Sequence, residues 1–138
     1  MLGVTADTNV YVSAFAFGGK PLQILEIAAQ GLIRLSISEA ILQETIRVLR
    51  DKFQWEAAAL REVDAIVRSI AEVVSPTQTV DVVKNDPSDN RVLECAAEAR
   101  SDYIVSGDRD LLKLGRFGDT PILRVDGFLK AARDHASS

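Results

Sequence analysis

The fold of this chain is decided at Val4-Thr5-Ala6-Asp7-Thr8-Asn9, where an acid directly follows a short apolar strand that begins at Met1. Residues 10–15 are apolar enough to form the first buried turns of a helix. Ligands of an open parallel sheet bind outside the carboxyl ends of the strands, which is where Asp7 would lie. A carboxylate in that position is costly to desolvate without a positive partner, and the sequence offers no Lys or Arg before Lys20. The acid therefore either binds a metal ion or caps the next helix.

The composition indicates one compact domain, because 138 residues that are 47% hydrophobic can bury a full core. We place this domain at residues 1–135 and expect a flexible tail at residues 136–138. Sixteen basic against twenty acidic residues give a net charge of −4, which argues against a broad non-specific nucleic-acid surface. No signal peptide and no apolar run of membrane-spanning length is present, so we expect a cytoplasmic protein without a membrane partner.

Strand and helix patterns alternate along the chain, which favours an α/β fold with a parallel sheet covered by helices on both faces. Strand patterns follow the opening stretch at residues 33–37, 72–75, 103–105 and 122–125. Helical stripes lie at residues 22–29, 41–49, 60–70, 92–97 and 111–114. Residues 77–84 have no readable pattern.

Four acids occupy special positions in this pattern. Asp7 and Asp108 each follow a strand, whereas Glu44 and Asp89 lie on or beside the inward faces of helices. The carboxyl ends of parallel strands and the starts of the following helices share one edge of the sheet. We therefore expect Asp7, Asp89 and Asp108 to converge there, while the convergence of Glu44, which lies deeper in its helix, is an assumption.

Converging carboxylates repel one another and raise each other's pKa, and a hard divalent cation removes that conflict. Mg²⁺ and Mn²⁺ prefer oxygen ligands. Zn²⁺ is disfavoured, since His135 is the only histidine and Cys95 the only cysteine. Such an ion suits phosphodiester hydrolysis, because it activates water and stabilises charge on phosphate oxygens.

Each acid also has an ordinary structural interpretation. Asp89 can form a capping box with Asp86, which itself is better placed as a helix cap than as a ligand. Glu44 can be a solvated boundary residue. Asp108 and Asp110 can cap the short helix that follows them.

Several polar residues near these acids are common in turns and could also orient carboxylates or hold waters: Thr8, Asn9 and Ser106. Lys20 and Arg109 could steer phosphate, and so could Arg91, although it is predicted to face away from the site. Phe53 and Trp55 are expected to pack between helices, with base stacking as the alternative.

Four motifs in order resemble those of the PIN domain nucleases, and within them the toxin-like subgroup related to the VapC ribonucleases. They lie at residues 5–10 (TADTNV), 37–49 (ISEAILQETIRVL), 86–96 (DPSDNRVLECA) and 103–112 (YIVSGDRDLL). The motif acids fall on Asp7, Glu44, Asp89 and Asp108, with Asp110 as an auxiliary acid. Thr5 and Ser106 depart from the more frequent residues of the family without removing an acid.

The resemblance implies a three-layer fold whose central sheet has about four or five parallel strands. It also implies cleavage of single-stranded RNA that depends on Mg²⁺ or Mn²⁺, with the four motif acids as metal ligands and catalytic residues. Toxin members typically form homodimers or larger assemblies and are inhibited by a small antitoxin protein.

Two other functions remain open. One is a non-catalytic Mg²⁺-binding interaction module of the receiver type, which would need a Lys after a late strand. The sequence disfavours it, because the last strand leads into Asp126 and no Lys follows Val105 until Lys113. The other is a PIN nuclease that acts on DNA.

Overall fold

The computed structural model describes residues 1–137, which form alternating strands and helices. The strands are β1 (Gly3–Ala6), β2 (Arg34–Ser38), β3 (Ala71–Val74), β4 (Tyr103–Val105), β5 (Arg116–Phe117) and β6 (Thr120–Leu123). The helices are α1 (Thr8–Phe17), α2 (Gly19–Ala29), α3 (Glu39–Asp51), α4 (Ala57–Ile70), α5 (Pro87–Ala99), α6 (Arg109–Leu114) and α7 (Val125–Ser137).

The sheet has the strand order β3-β2-β1-β4-β6-β5. The strands β3, β2, β1, β4 and β6 are parallel to one another, and β5 at the edge pairs with β6 in the antiparallel sense. Helices cover both faces, so the predicted three-layer α/β fold with four or five parallel strands is confirmed. The antiparallel strand β5 was not predicted, because a strand of two residues is too short to show a hydrophobic period.

The strand β1 lies at the centre of the sheet, between β2 and β4, and all four of its residues are buried. Burial of Thr5 within this strand is made possible by its hydroxyl, which hydrogen-bonds the Ser101 hydroxyl at 2.7 Å. Helix α5 packs against β1, β2 and β3, and α7 packs against β4 and β6. The carboxyl ends of the central strands therefore carry the starts of α1, α3, α6 and α7 at one edge of the sheet.

Residues 77–84, whose sequence shows no helix or strand pattern, lie between β3 and α5. Several of their backbone amides hydrogen-bond side chains of α5 and do not pair with a neighbouring strand. The Asn90 side chain accepts hydrogen bonds from the Val82 and Val83 amides, and it donates one to the Val83 carbonyl. Glu94 is buried, and its carboxylate accepts a hydrogen bond from the Val80 amide. The segment thus covers the outer face of α5.

The last described residues belong to helix α7. Helix α7 continues to Ser137, so Ala136 and Ser137 are helical where the sequence indicated a tail. Ser138, the remaining residue of that prediction, lies outside the described residues. Between residues 1 and 137 no helix combines the length and apolarity that crossing a bilayer requires.

Candidate metal centre

Asp7 lies at the carboxyl end of β1 and is the N-cap of α1. Its Oδ1 accepts a hydrogen bond of 3.0 Å from the Val10 amide, as expected for a helix cap. The other carboxylate oxygen, Oδ2, accepts a short hydrogen bond from the Ser106 hydroxyl. Each of these oxygens retains a second lone pair. Asp7 is therefore held in one position while remaining able to accept another partner.

Ser106 connects Asp7 to the next acid. Its Oγ accepts a hydrogen bond of 2.9 Å from the Asp108 amide, while its hydroxyl proton goes to Asp7. Asp108 in turn is the N-cap of α6, and its Oδ2 accepts a bond of 3.0 Å from the Leu111 amide. Both acids are thus fixed by the turns that leave the neighbouring strands β1 and β4.

Helix α5 brings two further acids to this edge. Asp86 caps the helix by accepting hydrogen bonds from the Ser88 amide and hydroxyl, and Pro87 occupies the first turn. Asp89, in the same turn, is only 6% exposed, and its Oδ2 is buried without a hydrogen-bond partner. A buried polar atom that lacks a partner is rare and calls for an explanation.

The unpartnered Asp89 carboxylate belongs to a cluster of acids. One carboxylate oxygen from each of Asp86, Asp89 and Asp108 lies within 4.8 Å of the other two. Within residues 1–137, no lysine or arginine forms an ion pair with these three acids or with Asp7. The described side chains therefore leave the negative charge of the cluster uncompensated.

The pKa values of two acids reflect this environment. Burial raises the pKa of Asp7 from 3.8 to about 6, with a further rise from the Asp108 charge, although the bonds from Ser106 and Val10 oppose it. Burial also raises the pKa of Asp89 to about 8, together with the nearby carboxyl groups of Asp108, Asp86 and Asp7. Without a cation, the cluster therefore retains protons near neutral pH.

A cavity of about 190 Å³ opens beside Asp7 and Asp89. Its lining residues come from α1, α3, α5 and the segments next to them: Asp7, Thr8, Asn9, Glu44, Arg47, Val48, Lys52, Asp86, Ser88, Asp89 and Val92. The predicted convergence of Asp7 and Asp89 is therefore present, and Thr8 and Asn9 lie at the same cavity.

Glu44 lines this cavity but lies outside the cluster of three acids. Its Oε2 accepts a hydrogen bond of 3.0 Å from Arg47 Nε, one helical turn along α3. The Glu44 side chain is 31% exposed, and the Arg47 guanidinium compensates its charge. Of the four motif acids, Glu44 alone is paired with a basic side chain in the described structure.

The remaining candidate residues do not line the cavity. Asp110 is half-buried in the first turn of α6, and Lys20 and Arg109 are exposed. None of these three lines the cavity. Arg91 faces the segment that covers α5, where it bonds the Val80 carbonyl and forms an ion pair of 2.9 Å with Glu94. That contact gives Arg91 a structural role away from the acids.

Three charged residues of the cavity, Asp86, Arg47 and Lys52, were not predicted as site residues. Asp86 was judged better placed as a cap than as a ligand, yet it both caps α5 through Oδ1 and belongs to the cluster of three acids. Arg47 lies three residues after Glu44 on α3, and this spacing is a signal that could have found it. Lys52 is the C-cap of α3, and its spacing from Glu44 gives no such signal.

The arrangement fits a hard divalent cation. Such an ion takes carboxylate oxygens as ligands, and Asp86, Asp89 and Asp108 present three of them close together. It would also supply the partner that the buried Asp89 Oδ2 lacks. Asp7 lies outside this cluster of three, but it lines the same cavity as Asp86 and Asp89, where it could act as a further ligand. Zn²⁺ is not favoured because the cluster contains neither His nor Cys.

Two comparisons with known proteins found similar sequences or folds. A model of the PIN domain family matches residues 4–110 of the chain. The crystal structure of VapBC2 from Rickettsia felis, bound to a DNA fragment from its promoter, has a similar chain with a TM-score of 0.64. The two chains are 14% identical over 89% of this chain and 98% of that one, a level of identity that shows the fold alone. A comparison with curated protein sequences found no match.

Proposed function

Because this chain belongs to the PIN domain family, we propose that it is a metal-dependent endoribonuclease that hydrolyses phosphodiester bonds of single-stranded RNA. We further propose that it is the toxin of a toxin-antitoxin pair and that Mg²⁺ or Mn²⁺ is its cofactor. The proposed catalytic and metal-binding residues are Asp7, Glu44, Asp89 and Asp108, to which the structure adds Asp86 as a candidate.

One observation carries the proposal: the buried Asp89 Oδ2 has no hydrogen-bond partner and lies in a cluster of carboxylates that no basic residue compensates within residues 1–137. Burying such a group costs free energy that folding alone does not recover. A cluster of this kind is expected where charge is needed for function, because perturbed pKa values concentrate at functional sites.

When bound, a divalent ion supplies Lewis-acid chemistry, since it activates water and stabilises the negative charge that develops on the phosphate oxygens. The protein's own contribution is to hold the acids in position. The Ser106 hydroxyl and the Val10 amide each bond one oxygen of Asp7 and fix its carboxylate. The Leu111 amide does the same for Asp108. Because these carboxylates are already held in position, they do not have to reorient during the reaction.

The other candidates have supporting roles in this proposal. Glu44 lines the cavity while Arg47 holds its carboxylate, so we expect it to contribute less than Asp89. Thr8 and Asn9 orient waters at the cavity wall, and Asp110 acts as an auxiliary acid. Lys20 and Arg109 remain candidates for steering phosphate from the surface. Arg91 is the weakest of the three candidates.

The experiment is a cleavage assay on labelled single-stranded RNA with Mn²⁺, with Mg²⁺ and with EDTA. We expect cleavage in both metals and none in EDTA. Asp7→Asn and Asp89→Asn are expected to abolish cleavage while keeping the circular-dichroism spectrum of the folded chain. Asp119→Asn, an exposed acid of the β5–β6 hairpin, is the matched control and should cleave like the wild type. Cleavage by both site variants at the wild-type rate would contradict the proposal.

The same assay with single-stranded DNA and with double-stranded RNA tests the substrate class. We expect single-stranded RNA to be cleaved faster than either of the others. A preference for DNA would replace the RNA assignment by the DNA-directed alternative while leaving the metal-dependent chemistry in place.

The toxin assignment carries two partner proposals, a small antitoxin protein and a second copy of this chain. Expression of the chain alone should arrest growth, and expression of Asp89→Asn should not. Light scattering on the purified chain should give the mass of a dimer or a larger assembly. A monomeric chain that cleaves RNA without slowing growth would retain the nuclease proposal and remove the toxin assignment.

A further inference from the structure

Two phenylalanine rings form an exposed aromatic pair at the ends of α1 and α3. The ring centroids of Phe17 and Phe53 lie 5.7 Å apart with an angle of 72° between the planes, which is an edge-to-face contact. Phe17 is 76% exposed and Phe53 is 37% exposed. Both rings are exposed and neither belongs to the buried core, whereas the nearby Trp55 is partly buried against that core. The pair therefore has an open surface that core packing does not explain.

A free cation lies next to this aromatic pair. Lys52 immediately precedes Phe53, so their Cα atoms are about 3.8 Å apart. Lys52 lines the same cavity as Asp7 and Asp89, yet it forms no ion pair within residues 1–137 despite the acids around it. Its ammonium group is therefore available to an anion that enters the cavity from outside.

We propose that Lys52, Phe17 and Phe53 form a nucleotide subsite beside the acidic cavity. In this subsite Lys52 binds a backbone phosphate adjacent to the cleaved one, and the aromatic pair stacks the base of the same nucleotide. The inference rests on the proposed ribonuclease function and deepens it, because it states how the single strand is held. Aromatic rings stack on unpaired bases without a strong sequence preference, and a paired base in a duplex offers no such face.

Charge and size favour RNA over a protein partner for this surface. The aromatic pair is small compared with the apolar area that a stable protein interface buries. A cation beside the rings fits a phosphate attached to a base, since the two groups belong to one nucleotide. Arg47, which pairs with Glu44, also lines the cavity and adds a second basic side chain to its wall.

The first test measures binding of a short, fluorescein-labelled single-stranded RNA of mixed sequence by anisotropy, with Ca²⁺ as a cation that takes oxygen ligands. We expect Phe17→Ala and Phe17→Leu to bind about tenfold more weakly than the wild type, and Phe17→Trp to retain binding. Leu32→Ala, which removes an apolar side chain that is 63% exposed, is the matched control and should bind normally.

An abasic oligomer of the same length separates stacking from charge. The wild type and Phe17→Ala should bind this oligomer equally, because the base that Phe17 contacts is missing. Loss of binding to the abasic oligomer by Phe17→Ala would contradict the stacking role. So would normal RNA binding by Phe17→Ala or by Phe17→Leu.

The second test measures the salt dependence of RNA binding for Lys52→Gln and Lys52→Arg. Each phosphate contact on a single strand contributes about 0.7 to the slope of log K against log salt, so Lys52→Gln should lower the slope by about that amount. Lys52→Arg should restore it. Lys130→Gln, an exposed lysine of α7, should leave the slope unchanged. An unchanged slope in Lys52→Gln would overturn the phosphate role.

These measurements separate the subsite from the nuclease proposal. RNA binding that is insensitive to Phe17 and Lys52, in a chain whose Asp89→Asn variant is inactive, removes the subsite alone. Unchanged cleavage by Asp7→Asn and Asp89→Asn removes the nuclease mechanism whatever the binding data show. Absence of measurable RNA binding by the wild type removes the subsite, and so does a Phe17→Ala variant that keeps RNA binding but loses self-association.

Discussion

The Ser106 hydroxyl donates a hydrogen bond to Asp7 Oδ2 across 99 positions of sequence and so joins the ends of β1 and β4. The two strands are neighbours in the sheet, with Ala6 opposite Val105, which brings the residues after them together. Because Ser106 also accepts a bond from the Asp108 amide, one buried hydroxyl sets the position of two acids.

Ser106→Ala should therefore impair the site more than the fold. The Ser106 bond lowers the pKa of Asp7, so its loss should raise that pKa above about 6 and shift the rising limb of the rate-against-pH profile to higher pH. We also expect a loss of about 1–2 kcal/mol in the free energy of unfolding. Rate profiles and urea titrations measure the two effects.

Ser36→Ala is the matched control for Ser106→Ala. Ser36, on strand β2, is as buried as Ser106, but its hydroxyl has no hydrogen-bond partner within the described residues. Its removal should therefore leave both the pH profile and the stability nearly unchanged. Equal effects of the two substitutions would show that Ser106 does not act through Asp7.

The stability of the metal-free chain should fall as the pH rises. In the folded chain the pKa values of Asp7 and Asp89 are raised to about 6 and about 8, above their value in the unfolded chain. The folded state therefore binds more protons, and the stability present below about pH 4 is lost progressively towards pH 8. In EDTA, melting temperatures should decrease by several degrees, roughly 5 °C, between about pH 5 and pH 8.

Mg²⁺ should raise the melting temperature more at the upper end of that pH range than at the lower end, because the ion competes with protons for the same oxygens. Asp89→Asn should reduce both the pH dependence in EDTA and the gain from Mg²⁺. A melting temperature that rises with pH in EDTA would contradict the assigned pKa directions.

Glu44→Gln should lower the cleavage rate less than Asp89→Asn does. Arg47 already compensates the Glu44 carboxylate, which lies outside the three-acid cluster, so we expect a loss of about tenfold against at least about 100-fold for Asp89→Asn. Glu39→Gln, an exposed acid of the same helix, is the control and should change the rate little. A loss in Glu44→Gln as large as that in Asp89→Asn would contradict the smaller contribution expected of Glu44.

Asn90→Ala should destabilise the segment that covers α5. The buried Asn90 side chain makes three hydrogen bonds to the backbone of Val82 and Val83, and their loss is expected to cost about 3 kcal/mol. Hydrogen exchange at the two amides should accelerate. Asn85→Ala replaces an exposed asparagine near the same segment and should change neither the stability nor the exchange of these amides. Equal exchange rates in the two variants would contradict the role assigned to Asn90.

Much of the site was predictable because strand ends in a parallel sheet meet at one edge. That rule places Asp7 and Asp108 together from the sequence, and the start of α5 brings Asp89 to them. The ion pair of Glu44 was not predicted, although Arg47 stands at a spacing that permits it. Asp86 was ranked as a cap above a ligand, although a carboxylate with two oxygens can serve in both roles.

The conformation of the segment before α5 could not be predicted from the sequence, for a physical reason. Its backbone bonds go to the side chains of Asn90, Glu94 and Glu98, so no period of two or of 3.6 residues is imposed on it. The same contacts bury Glu94 and turn Arg91 away from the acids. Such pairings join residues through tertiary contacts, which local patterns do not encode.

The most direct test of the central claim is a crystal of the chain soaked in Mn²⁺, with anomalous diffraction recorded from it. A peak within bonding distance of Asp89 Oδ2 and shared with Asp108 or Asp86 is the predicted result, and it should be absent from crystals of Asp89→Asn. An unoccupied cluster at an Mn²⁺ concentration that saturates other sites would contradict the claim that these acids hold a divalent ion.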